Sequence, residues 1–124
     1  MKKGLRLLLP ILLLNLTAAV GLEEPQKEKA AGTVDVHLSE YAIKMPETVP
    51  AGPTTFVVHN DGVKNHSFRI EGPGFTETLA KHVEPQMTET LQVTLQPGEY
   101  KVYCPIGSHE NKGMKMTLKV TAKP

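Results

Sequence analysis

Along most of the chain apolar residues stand at every second position, the spacing of a strand that buries one face. Val34, Val36 and Leu38 alternate with polar neighbours, and Tyr41, Ile43 and Met45 follow in the same period, predicting two strands or one bent strand. Val49-Pro50-Ala51-Gly52-Pro53 reads as a turn, Thr54 to His59 as a strand, and Asn60-Asp61-Gly62 as a second turn. His66, Phe68 and Ile70 share the next face, which Gly72-Pro73-Gly74 ends.

Phe75 to Met87 is the least regular stretch, and Thr76 to Val83 suits a short helix or an irregular loop. Clean alternation returns in Leu91, Val93 and Leu95. A Gln96-Pro97-Gly98 turn and the series Tyr100, Val102, Cys104 complete a hairpin. Pro105 to Gly113 forms a loop, after which Met114, Met116, Leu118 and Val120 begin a last strand. About seven short strands in so few residues predict an all-β, two-sheet sandwich.

The first 21 residues do not belong to this pattern. Met1 to Arg6 is basic, and the apolar stretch Leu7 to Val20 is 14 residues long, below the roughly 18 to 20 that cross a bilayer. Small residues follow at Thr17, Ala18, Ala19 and Gly21. This is the layout of a signal peptide cleaved after Ala19 or Gly21, with an uncleaved N-terminal anchor as the competing reading. Residues 22–32 are polar, rich in Glu and Lys, and read as a linker. The domain then spans 33–124, a small core to which a bound metal would add stability.

Composition supports this division. The 10 Gly and 10 Pro are too many for a helical bundle of 124 residues. The formal charge of +1 is carried by the leader, since its removal leaves 11 basic residues against 13 acids. No basic run remains to track a phosphate backbone, which argues against nucleic acid as a partner. The exported domain is expected in the periplasm or outside the cell, as a monomer without a membrane span. A disulfide is excluded within the chain, because Cys104 is the one cysteine.

That solitary thiol lies in the segment Tyr103-Cys104-Pro105-Ile106-Gly107-Ser108-His109-Glu110-Asn111-Lys112-Gly113-Met114, with the spacing C-x4-H-x4-M. Parity turns Cys104 inward with Tyr100 and Val102, and Met114 inward with Met116 and Leu118. His66 begins the Phe68–Ile70 face, so three strand ends converge on one point. Taken singly, each residue has a plainer reading, a buried Cys being usually a small hydrophobe. Together, two imidazoles, a thiolate and a thioether are the donor set of a blue-copper electron-transfer centre. Four protein donors leave no open position for a substrate, which argues against an enzyme. The remaining histidines, His37, His59 and His82, have no such partners and are expected at the surface.

From Val34 to Val120 the chain resembles the cupredoxins, of the plastocyanin, azurin, rusticyanin and sulfocyanin kind. The resemblance rests on the strand ending in Asn60 and Gly62, on His66-Ser67-Phe68, on Pro97-Gly98-Glu99-Tyr100-Lys101-Val102-Tyr103-Cys104, and on His109 with Gly113-Met114. It implies a Greek-key β-sandwich and one copper ion cycling between Cu(I) and Cu(II). His66, Cys104 and His109 would be the equatorial ligands and Met114 the axial one. It further implies His109 as the exposed electron port, and c-type cytochromes, oxidases or reductases as partners. Pro105, Ile106 and Gly107 would form a small docking patch with the turn near Gly62 and Val63. Many members carry Asn where this chain has Ser67, whose backbone N–H is still placed to bond the Cys104 sulfur. The loop is longer than in plastocyanin and nearer the rusticyanin and sulfocyanin pattern. A copper carrier on the same fold is the alternative to electron transfer.

Overall fold

The computed structural model describes residues 32–123. The leader (1–21) and nearly all of the linker (22–32) lie outside the described residues. Within them the chain forms nine strands: β1 (Thr33–Ser39), β2 (Ala42–Lys44), β3 (Thr48–Pro50), β4 (Gly52–Asn60), β5 (Arg69–Gly72), β6 (Phe75–Thr78), β7 (Thr88–Leu95), β8 (Gly98–Tyr103) and β9 (Lys115–Thr121). One 3-10 turn, Glu110–Lys112, interrupts the loop between β8 and β9. None of these elements is a helix long and apolar enough to cross a membrane.

The strands form two mixed sheets, ordered β2-β1-β4-β7 and β3-β9-β8-β5-β6. Their facing sides bury Val36, Leu38, Phe56 and Val58 against Phe68, Ile70, Val102 and Leu118, all fully enclosed. The alternation in the sequence is therefore the alternation of inner and outer faces, as in a β-sandwich. Phe56 and Phe68 meet across the middle with ring centroids 5.1 Å apart. Parallel pairing of β1 with β4 and of β3 with β9 requires the chain to cross between sheets, because parallel neighbours cannot be joined by a hairpin.

Three features differ from the sequence expectation. There are nine strands rather than about seven: β3 occupies Thr48–Pro50, where the expected turn begins, and β6 occupies the start of the stretch read as irregular. The stretch from Thr76 begins within β6, hydrogen-bonded to β5 at the sheet edge, and from Leu79 it continues as the irregular loop rather than the helix of the two readings. Ladder pairing of the His66 series begins only at Arg69. Ahead of it, His66 makes a single bridge to Val83, its N–H donating to the Val83 carbonyl (3.1 Å) and its carbonyl accepting in return (2.8 Å).

The β7–β8 turn is closed by Tyr100. Its hydroxyl donates to the Gln96 carbonyl (2.7 Å) and accepts from the Gln96 N–H (3.0 Å), while the ring stays buried. This tyrosine corner sits on β8, the strand that ends just before Cys104, and anchors it.

Candidate metal centre

Three neighbouring strands carry the candidate residues to one end of the five-stranded sheet. β8 runs antiparallel to both β9 and β5, so the end of β8 lies beside the starts of the other two. Cys104 follows β8 and Met114 precedes β9; the Cys104 N–H donates to the Met114 carbonyl at 3.1 Å. His66 and Ser67 precede β5, and the Ser67 N–H donates to Cys104 Sγ at 3.4 Å. His109 is delivered by the loop between β8 and β9, in which its N–H bonds the Ile106 carbonyl (3.0 Å) and its carbonyl accepts from Met114 N–H (3.2 Å). Gly113 closes that loop with φ 117°, a left-handed conformation that suits glycine.

The structure brings His66, Cys104 and His109 together, with ligand atoms within 4.8 Å of one another. Cys104 Sγ and His109 Nδ1 are 3.5 Å apart, and the two imidazole centroids 5.1 Å. A first-row metal ion bound at about 2.0–2.3 Å to nitrogen and sulfur in a trigonal plane separates its donor atoms by about 3.5–4 Å, so the spacing fits an ion. His66 supplies a second sign. Its ring is fully buried and its Nδ1 has no hydrogen-bond partner, a costly arrangement for a nitrogen that is not meant to bind something. Met114 is fully buried at the same end of the sheet, tied through its backbone to both Cys104 and His109. Soft sulfur donors beside imidazoles are suited to copper.

Two further residues, one of them in the sequence resemblance and one outside it, hold this end together. Asn60, nearly fully buried, donates to the carbonyls of Lys64 and Val83 and accepts from Gly62 N–H, each at 2.8 Å, and so clamps the loop that leads to His66. Glu40, in the β1–β2 turn, accepts from Val63 N–H (2.9 Å), Lys64 N–H (2.8 Å) and His66 Nε2 (3.2 Å). Burial raises its carboxyl pKa, but the hydrogen bonds from Lys64, Val63 and His66 outweigh this and leave it below the usual carboxylate value. The neighbouring Tyr41 meets His109 edge to face at 5.1 Å. The break in alternation between Leu38 and Tyr41 is the signal in the sequence that a turn lies here.

The chain matches the model of the cupredoxin-like domain over residues 11–118. It belongs to that family. Solved structures support the same fold for this cupredoxin. Auracyanin B superposes with a TM-score of 0.65 at 19% identity, over 76% of this chain and 91% of that one. Auracyanin A of Chloroflexus aurantiacus, described as a blue copper protein, gives 0.60 at 17% identity, over 72% and 98%. Among curated proteins, the iron uptake system component EfeO of Yersinia pestis is 35% identical over 78 residues, 63% of this chain. That match spans only 20% of EfeO's own length.

In this cupredoxin His109 is partly exposed while His66 is enclosed. Burial, followed by the charges of His66, Lys112 and Lys64, holds the His109 imidazole below its ordinary pKa, which favours the neutral form that a metal requires. Val63, in the loop ahead of His66, is 81% exposed, and Pro105 and Ile106, in the loop that carries His109, are half-buried. Tyr103 is a packed strand residue whose hydroxyl donates to Glu71 (2.6 Å) and accepts from Arg69 (3.1 Å). His82 and His37 are exposed and His59 is partly exposed, as expected of histidines outside the cluster. Parallel register places His37 and His59 side by side, stacked at 4.7 Å, with His37 on Asp61 (2.8 Å) and His59 on Thr88 (2.9 Å). Neither has a sulfur donor beside it.

Proposed function

We propose that this cupredoxin holds one copper ion through His66 Nδ1, Cys104 Sγ and His109 Nδ1, with Met114 as a weak fourth donor, and carries single electrons between redox proteins. The observation that supports this most directly is the buried, unpartnered Nδ1 of His66 beside a thiol and a second imidazole. When bound, copper supplies a one-electron couple between Cu(I) and Cu(II). The chain's own part is to keep the donors in place in both states. Cys104 and Met114 are fixed by a backbone hydrogen bond between strands, and Ser67 N–H donates to the sulfur. Little movement then accompanies the change of charge.

Water is excluded on the His66 side, and the half-exposed His109 edge is the route for the electron. Val63, Pro105 and Ile106 around it form a small apolar docking patch. Export by the leader places the protein in the periplasm or beyond the cell, where c-type cytochromes, oxidases or reductases are the expected partners of a monomeric carrier.

The test is to add Cu(II) to the metal-free protein and record the visible spectrum and voltammogram. An intense thiolate-to-copper band with a reversible couple is expected, together with rapid electron exchange with a c-type cytochrome. A colourless complex with no reversible couple, which passes its copper to an acceptor, would instead identify a copper carrier. The likeness to EfeO favours a second reading, in which copper held by His66, Cys104 and His109 would supply the one-electron oxidant for Fe(II) in an iron uptake system, with Fe(III) as the product. Bleaching of the blue band by an Fe(II) chelate, and its absence with cytochrome, would select that reading.

A further inference from the structure

We infer that Glu40 is a positioning residue for His66: its carboxylate accepts the Nε2 proton, fixes the tautomer that leaves Nδ1 free for the metal, and biases the site towards Cu(II). This rests on the copper reading of the site. The geometry is specific. A single oxygen, Oε1, receives the Nε2 of His66 at 3.2 Å and the N–H groups of Val63 and Lys64 at 2.9 and 2.8 Å. The imidazole it touches is fully buried, whereas the Glu40 side chain is 22% exposed. The carboxylate therefore reaches from the β1–β2 turn over the loop and meets the hidden ring from its outer edge.

The loop is shaped to admit it. A Cβ at Gly62 would collide with the Glu40 carboxyl group, so the absence of a side chain at that position makes room for this contact. A neutral histidine protonated on Nε2 has its other nitrogen unprotonated, and Nδ1 is the buried atom without a partner. Carboxylate and orphan nitrogen thus lie on opposite sides of one ring, in the order carboxylate, imidazole, metal site. An anionic acceptor raises the basicity of the ligating nitrogen. That gain is larger for Cu(II), which carries the higher charge and is the harder ion, than for Cu(I), so the carboxylate lowers the reduction potential.

Glu40→Gln separates positioning from mere loop support, because the amide oxygen can accept the same three hydrogen bonds while the charge is lost. The variant should keep its blue band and fold. Its affinity for Cu(II) relative to Cu(I) should fall about tenfold, at the lower end of losses seen for such outer partners, which for a one-electron couple raises the potential by about 59 mV. An unchanged potential with an intact spectrum would overturn the inference. A second measurement does not depend on the variant folding or on copper. In the metal-free wild-type protein at pH 8, nitrogen-15 NMR of His66 should show a proton on Nε2, shifted downfield and slow to exchange. A proton on Nδ1 would overturn the inference equally. Failure of wild-type protein to turn blue would instead count against the copper site, and the NMR result would still decide whether Glu40 sets the ring.

Discussion

Loading the protein with copper is expected to raise its melting temperature by about 10 °C or more. In the folded chain the donor atoms of His66, Cys104 and His109 already lie within 4.8 Å, whereas unfolding scatters them along the sequence. The ion therefore binds the native state in preference to the unfolded one. The metal-free protein also carries the unsatisfied Nδ1 of His66 in a fully enclosed ring, a burden of about 1–3 kcal/mol that coordination removes and that is already contained in the binding constant. With free copper at about 100 times its dissociation constant, mass action contributes about 2.7 kcal/mol. For a domain of this size each kcal/mol moves the midpoint by about 4–8 °C, giving a rise of about 10–20 °C. Weak binding by the unfolded chain's thiol and its five histidines reduces this towards the lower figure. Scanning calorimetry of metal-free and loaded protein, with Cys104→Ser alongside, makes the comparison. A rise below about 3 °C in the wild type would refute the reasoning. An equal rise in Cys104→Ser would also refute it, since the thiol would then contribute nothing to binding.

Met114→Leu is close to volume-conserving in a fully buried position and should cost less than about 1.5 kcal/mol. Its blue band should persist while the potential rises, since a donor that helps the more highly charged ion is lost; voltammetry reads the change, and an unaltered potential would remove Met114 from the ligand set. Tyr100→Phe deletes both hydrogen bonds to Gln96 and should lower stability by about 1–3 kcal/mol in a denaturant titration, without altering the copper spectrum. The pH dependence of the metal-free protein should follow His109, whose folded pKa lies below its ordinary 6.5. Its neutral form contributes stability in full above that pH, and the contribution is lost as pH falls through the lower folded value. Denaturation midpoints between pH 8 and 5 should therefore decline for the wild type and decline less for His109→Gln.

Alternation along the chain determined by itself which side chains point inward, because in a strand successive residues face opposite sides whatever the strand pairs with. Parity alone thus turned Cys104 inward with Val102 and put Met114 at the start of an inward face, and both are fully buried. The spacing between Cys104, His109 and Met114 was equally legible, since a loop joining adjacent antiparallel strands is a local matter. Pairing between distant segments was not. Nothing in the alternation of β1 specifies that it runs parallel to β4, and that register alone brings His37 beside His59. Nor does it specify that the β1–β2 turn folds over the His66 loop and sets Glu40 on the imidazole. Such contacts depend on how two sheets close on each other, a choice made by packing and hydrogen bonding over the whole domain. The sequence therefore determined the candidate donors, and the tertiary structure decided which side chains pack and hydrogen-bond around them.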